Sequence, residues 1–130
     1  MLPYLNDLAQ QSIDKDVKFY GIISNPAVTW KEAQQFKEDF QVQFPLLFDV
    51  NGDLANRMNP TVVPESYVFD IYDTLLYSGR INDQYAEIGK FNKHIRNADL
   101  WNAIQAAAVK EMPSVSHQPA KGCIFESWDK

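Results

Sequence analysis

Leu5, Leu8 and Ala9 recur at helical spacing, so residues 2 to 14 read as a helix, with Pro3 in a first turn where a missing N–H costs nothing. Val17 to Ser24 (VKFYGIIS) is apolar on both faces and β-rich, the pattern of a buried strand in a parallel sheet, and Asn25-Pro26 ends it. Thr29-Trp-Lys-Glu32 is a capping box that opens a second helix, and Trp30, Ala33, Phe36 and Phe40 follow on one face as an expected core stripe. Phe44 to Asp49 is a short apolar strand, Asn51-Gly52-Asp53 a turn, and Leu54 to Met58 a helical turn. Ser66 to Asp70 and Leu75 to Ile81 are strands joined through Tyr72-Asp73-Thr74, too close for a crossover and therefore an antiparallel hairpin. Asp99 caps a last helix with Leu100, Trp101, Ile104 and Ala108 inward, and from Met112 the pattern is that of an extended tail.

The order α-β-α-β-β-β-α predicts an α/β sandwich with one mixed sheet flanked by helices. With 130 residues the chain is long enough for one core and too short for two. Hydrophobic residues make up 45% and charged residues 22%, in the range of soluble globular proteins. The net charge of −5 and the lack of any run of Lys and Arg argue against nucleic acid and anionic lipid as partners. No apolar run approaches the ~20 residues that span a bilayer. Met1 to Gln10 has neither the basic start nor the apolar stretch of a secretion signal, and compartment stays unknown.

Candidate chemistry is sparse. Cys123 is the single cysteine, which excludes an intrachain disulfide; it reads about equally as a functional thiol and as a structural residue in a tail that folds back. His94 and His117 have no partner at ligand spacing, so a zinc site is not expected. Asp49-Val-Asn51-Gly52-Asp53 hints at a calcium loop, but its glycine comes too early and no Glu closes it, so it reads as a turn. Arg80 and Asp83 read as an ion-paired surface cluster or as orienting groups for a site. No phosphate loop or nucleophile elbow occurs, and no cofactor is expected.

The stretches VKFYGIISNP, FPLLFDVNGDLA, VVPESYVFD and LLYSGRINDQY, then a helix and KGCIF, keep their order along nearly the whole chain. Together they resemble a thioredoxin-fold redoxin domain of the peroxiredoxin-like branch. Val63 stands where that family usually has Thr, Ser78 where it has Arg, and Asn82 where it has Asp. The resemblance implies a thioredoxin-like fold whose first, central strand and reactive-cysteine loop are not within residues 1–130. Pro3 then matches a proline inside the family's first helix. It implies a partial redoxin domain over 1–111 and an extended tail with the Gly-Cys motif over 112–130. It implies a cis Val63–Pro64 bond, with Pro64 and Cys123 as catalytic-site residues and Val63, Pro64 and Arg80 lining the substrate. The implied function is thiol-dependent reduction of a disulfide protein or a peroxide by the parent protein, with antioxidant activity, and little activity in these 130 residues alone. The alternatives are a non-catalytic thioredoxin-like binding module and a fragment without independent function. Unpaired strand edges would also favour a homodimer.

Overall fold

The computed structural model describes residues 2–84 and 94–125. Tyr85, which closes the LLYSGRINDQY motif, and residues 126–130 of the tail lie outside the described residues. The chain is mixed α/β and divides into two compact units, one running to Pro60 and including Phe125, the other Thr61–Ile124.

The first unit holds helix α1 (Leu2–Asp14), strand β1 (Gly21–Ile23), helix α2 (Trp30–Asp39), strand β2 (Leu46–Phe48) and helix α3 (Asp53–Met58). β1 and β2 pair in parallel, Gly21 opposite Leu46 and Ile23 opposite Phe48. Ala9, Val42 and Phe44 form the buried core, with Leu2, Leu5, Phe19 and Leu46 packed on it, and Phe19 meets Phe44 edge-on at 5.0 Å. Asn6 ties α1 to the turn after α2: its amide nitrogen donates to the Gln41 carbonyl at 3.1 Å and its oxygen accepts from the Gln43 amide at 2.8 Å. The capping box forms, with the Thr29 hydroxyl accepting from the Glu32 amide at 3.2 Å and the Glu32 carboxylate accepting from the Thr29 amide.

Two expectations fail in this unit. The strand expected over Val17–Ser24 shrinks to three residues, because its only partner among the described residues is the three-residue β2, and Ile22 and Leu47 share an exposed face. The aromatic stripe of α2 is not core: Trp30 is 54% exposed, Phe36 38% and Phe40 57%, while Ala33 alone is buried. A ten-residue helix on a two-stranded sheet covers only the narrow strip through Ala33. The aromatics pack on their neighbours instead, Trp30 edge-on to Phe48 and Phe36 against Phe40 at 4.8 Å.

The second unit holds β3 (Val62–Val63), β4 (Ser66–Phe69), β5 (Leu75–Gly79), helix α4 (Asp99–Ala108), β6 (His117–Gln118) and β7 (Cys123–Ile124). β4 and β5 form the expected antiparallel hairpin, Ser66 opposite Gly79 and Val68 opposite Tyr77, with a bulge before Phe69. Asp70 builds its turn, accepting from the Tyr72 and Thr74 amides at 2.8 and 2.9 Å. Leu76 and Tyr77 are both buried, so β5 is covered on both faces, and α4 packs on the hairpin through its buried Leu100, Ala103 and Ile104.

The expected single mixed sheet is instead three small ladders among the described strands: β1–β2, β3–β7 and β4–β5–β6. The segment after Met112 is pinned by two short strands, β6 parallel to β5 and β7 antiparallel to β3. Asp99 does not cap α4. Ala98 holds that position, and Asp99, one residue on, pairs with Arg80.

Candidate functional site

The Val63–Pro64 bond is cis, and the chain passes from β3 through this corner into β4, antiparallel to β5, as expected. The corner is fixed from behind. Glu65 accepts from the Thr61 hydroxyl at 3.1 Å and from the Tyr67 hydroxyl, so one carboxylate spans the residues on either side of Val62-Val63-Pro64. Burial, the hydrogen bond to Glu65 and its negative charge together hold the Tyr67 phenol above its ordinary pKa, so it stays a donor.

β7 lies against this corner. Ile124 pairs with Val62, and Cys123, the only thiol, pairs with Val63. Cys123 is exposed and free. Its predecessor must be glycine: a Cβ at Gly122 would run into the Val63 carbonyl oxygen, 3.0 Å from the carbonyl carbon and 3.4 Å from Pro64 Cδ. Three of the expected site residues, Val63, Pro64 and Cys123, are thus brought together from distant parts of the sequence.

Arg80 is engaged elsewhere. Its Nε donates to the Asp99 carboxylate at 2.6 Å, both side chains being largely buried. Its carbonyl accepts from the Tyr77 hydroxyl at 2.6 Å, and its amide donates to the Gln118 carbonyl at 2.9 Å. This hub joins β5, α4 and β6. Burial and the Asp99 charge raise the Tyr77 pKa, and Arg80 partly offsets them. Gly79, at φ 135°, precedes the hub because a Cβ there would strike the Gln118 carbonyl oxygen. Arg80 is a structural group in this arrangement.

Asp83 is buried and accepts from the Arg96 amide at 2.9 Å and the Asn97 side chain at 3.1 Å. Burial alone raises its pKa, but the hydrogen bonds from Asn97 and Arg96 outweigh it, and the net shift is downward. Asp49 behaves alike in the first unit. Its carboxylate accepts from Ser24 Oγ at 2.7 Å and from the Leu54 and Ala55 amides at 2.9 and 3.0 Å, so the opening of α3 is closed by a carboxylate four residues ahead of it. Burial pushes its pKa up and these bonds bring it below the ordinary value. The acidic turn is therefore a helix start. Among the described residues no group of three His, Cys, Asp or Glu is placed to hold a metal, and no described helix is long and apolar enough to cross a membrane.

A pocket of about 240 Å³ between α2 and β2 is lined by Trp30, Ala33, Gln34, Lys37 and Leu46, none of them an expected site residue. Sequence reasoning missed the Glu65 clamp. Its signal was the Thr61–Glu65–Tyr67 spacing around a proline.

No protein-family model matches the chain, and no curated protein matches it either. Among solved structures, it is similar to a hypothetical protein from Sinorhizobium meliloti, with a TM-score of 0.78 and 22% identity over 93% of this chain and 67% of that one. It is also similar to an uncharacterized conserved protein from Geobacillus kaustophilus, with a TM-score of 0.81 and 22% identity over 95% of this chain and 67% of that one. The likeness is one of fold.

Proposed function

We propose that residues 1–130 are the larger part of a thioredoxin-fold redoxin domain, and that the complete domain is a thiol-dependent oxidoreductase of the peroxiredoxin-like type. The observation that carries this reading is the seating of the only thiol, Cys123, opposite Val63 beside Pro64. The ordered motifs from VKFYGIISNP to KGCIF support it. So does the strand pairing: among the described residues β1 pairs only with β2, and β4 only with β5, so each keeps an edge for a further strand.

In this chemistry a thiolate attacks one sulfur of a disulfide, forming a mixed disulfide and releasing the other sulfur as thiolate. Alternatively it attacks a peroxide oxygen, forming a sulfenic acid and releasing the other oxygen as water or alcohol. Such a thiol is activated at the first turn of a helix, where unpaired N–H groups favour the anion. The start of α1 is Leu2-Pro3-Tyr4, which holds no nucleophile of this kind. The attacking cysteine of the proposed reaction therefore comes from outside residues 1–130, and Cys123 is a second thiol beside the same corner.

The test is insulin-disulfide reduction and peroxide consumption with dithiothreitol as reductant. A chain extended upstream by a strand and a Cys-Pro loop should turn over in one or both assays, while the 130-residue chain stays at the buffer level. An inert extended chain overturns the reading. Turnover by the 130-residue chain that disappears in Cys123→Ser moves the catalytic role to Cys123.

A further inference from the structure

We propose that the groove between α2 and β2 binds a small aromatic monocarboxylate, with its ring beside Trp30 and its carboxylate on Lys37. The site goes beyond the redoxin reading. It lies in the unit that ends at Pro60, whereas Val63, Pro64 and Cys123 belong to the other unit.

Spacing builds one wall of the groove. Trp30, Ala33, Gln34 and Lys37 stand at i, i+3, i+4 and i+7, so they share one face of α2. Leu46 of β2 supplies the other wall, and these five residues line about 240 Å³. Both walls are anchored. Ala33 is buried, and Leu46 packs on the Ala9, Val42 and Phe44 core. Leu46 also lies over Gly21, where a Cβ would come within 2.6 Å of its Cδ2. Phe48 props the Trp30 indole edge-on at 6.0 Å. The groove is therefore formed before any ligand arrives.

Size and lining select one ring. An apolar cavity of about 150 Å³ holds benzene, and drug-sized ligands need about 300 Å³ or more. The groove falls between, with room for a ring and a short acid arm. Trp30, Ala33 and Leu46 give the ring an apolar bed, and the indole gives it an aromatic neighbour. Trp30 and Lys37 are two turns apart, a rise of about 10 Å, and the Lys37 stem spans part of it.

Charge complementarity selects the anion. The chain carries 17 Asp and Glu against 12 Lys and Arg, yet Lys37 has no carboxylate at i±3 or i±4, where Ala33, Gln34, Phe40 and Gln41 stand. Two carboxylates of α2 are engaged elsewhere: Glu32 closes the capping box with Thr29, and Asp39 accepts from Gln35 Nε2 at 2.8 Å. Lys37 is the only charged residue of the lining and makes no ion pair among the described residues. One uncompensated cation matches a monoanion, and the Gln34 amide beside it can donate a second hydrogen bond.

The test titrates the isotope-labelled 130-residue chain with phenylacetate at low salt and follows backbone and indole N–H signals by NMR. Phenylacetate should saturably shift the Ala33, Gln34, Lys37 and Leu46 amides and the Trp30 indole. Acetate, which lacks the ring, and phenylacetamide, which lacks the charge, should each bind about fivefold or more weaker. Lys37→Met keeps the stem and should weaken phenylacetate about fivefold or more while leaving phenylacetamide unchanged. Trp30→Ala, its fold checked by circular dichroism, should abolish saturation by both aromatic probes. The absence of saturable shifts at these residues in the wild-type chain overturns the proposal. So does equal affinity of phenylacetate and either control, or of phenylacetate for wild type and Lys37→Met. Should Trp30→Ala not fold, the comparison of the three probes on the wild-type chain decides. None of these measurements involves thiol chemistry, so the site and the redoxin reading stand or fall separately.

Discussion

The two units solve the same problem with unequal means. The Thr61–Ile124 unit wraps β5 on both faces and ties it with a polar hub in which Tyr77, Arg80 and Asp99 satisfy one another. The unit that ends at Pro60 has two three-residue strands, leaves Ile22 and Leu47 exposed, and holds α2 by little more than Ala33. Burial on both faces makes a strand expensive to disturb, whereas a half-covered strand tolerates substitution and invites a partner.

The largest break in this contrast is Tyr77→Ala. It removes a fully buried ring and leaves the Arg80 carbonyl without its donor, and it should cost about 3–5 kcal/mol in urea unfolding. Ile22→Ala in the other unit should cost under about 1 kcal/mol, its side chain being half exposed. Comparable losses for the two would erase the difference between the units.

Next is Asp99→Ala, which strands the Arg80 guanidinium. A loss of about 2 kcal/mol is expected, reduced from that of a fully buried pair because Arg80 keeps some solvent. A double-mutant cycle with Arg80→Ala measures the coupling. Coupling near zero would mean that the hub is held by the hairpin and not by the ion pair.

Acid should weaken both units. Asp49 and Asp83 have folded-state pKa values below the ordinary 3.8, so the unfolded chain takes up their protons at higher pH than the folded chain. Their contribution is complete above the ordinary value and is lost as pH falls through it toward the folded values. Asp49→Asn and Asp83→Asn should each flatten the fall in stability as pH drops through the ordinary carboxylate range. An unchanged pH profile in either variant would contradict the hydrogen-bond account of that carboxylate. The smallest expected effect is that of Trp30→Ala, within about 1 kcal/mol, since the indole is more than half exposed.

The hairpin was legible because two short apolar runs flank an Asp70-to-Thr74 turn too short for a crossover, and the capping box because Thr29 and Glu32 stand at the required spacing. Both signals are local. The α2 stripe misled because Trp30, Phe36 and Phe40 have helical spacing, yet spacing reports a shared face and not what covers it. The ladders of β6 and β7 were hidden for the opposite reason. Each is two residues long, too short for any periodicity, and each finds its partner far away in sequence. At the site, Val63, Pro64 and Cys123 were readable as candidates, but their meeting through β7 was not. Arg80 looked like a site residue because a motif cannot show that its guanidinium turns toward Asp99.

The central claim, thiol chemistry at the Pro64 corner, is tested most directly by trapping the oxidised sulfur. One equivalent of hydrogen peroxide is added to the chain extended upstream through a Cys-Pro loop, dimedone captures sulfenic acid, and mass spectrometry locates the adduct. The account predicts the adduct on the loop cysteine and none on Cys123. An adduct on Cys123 alone, or no adduct while peroxide is consumed, would contradict it.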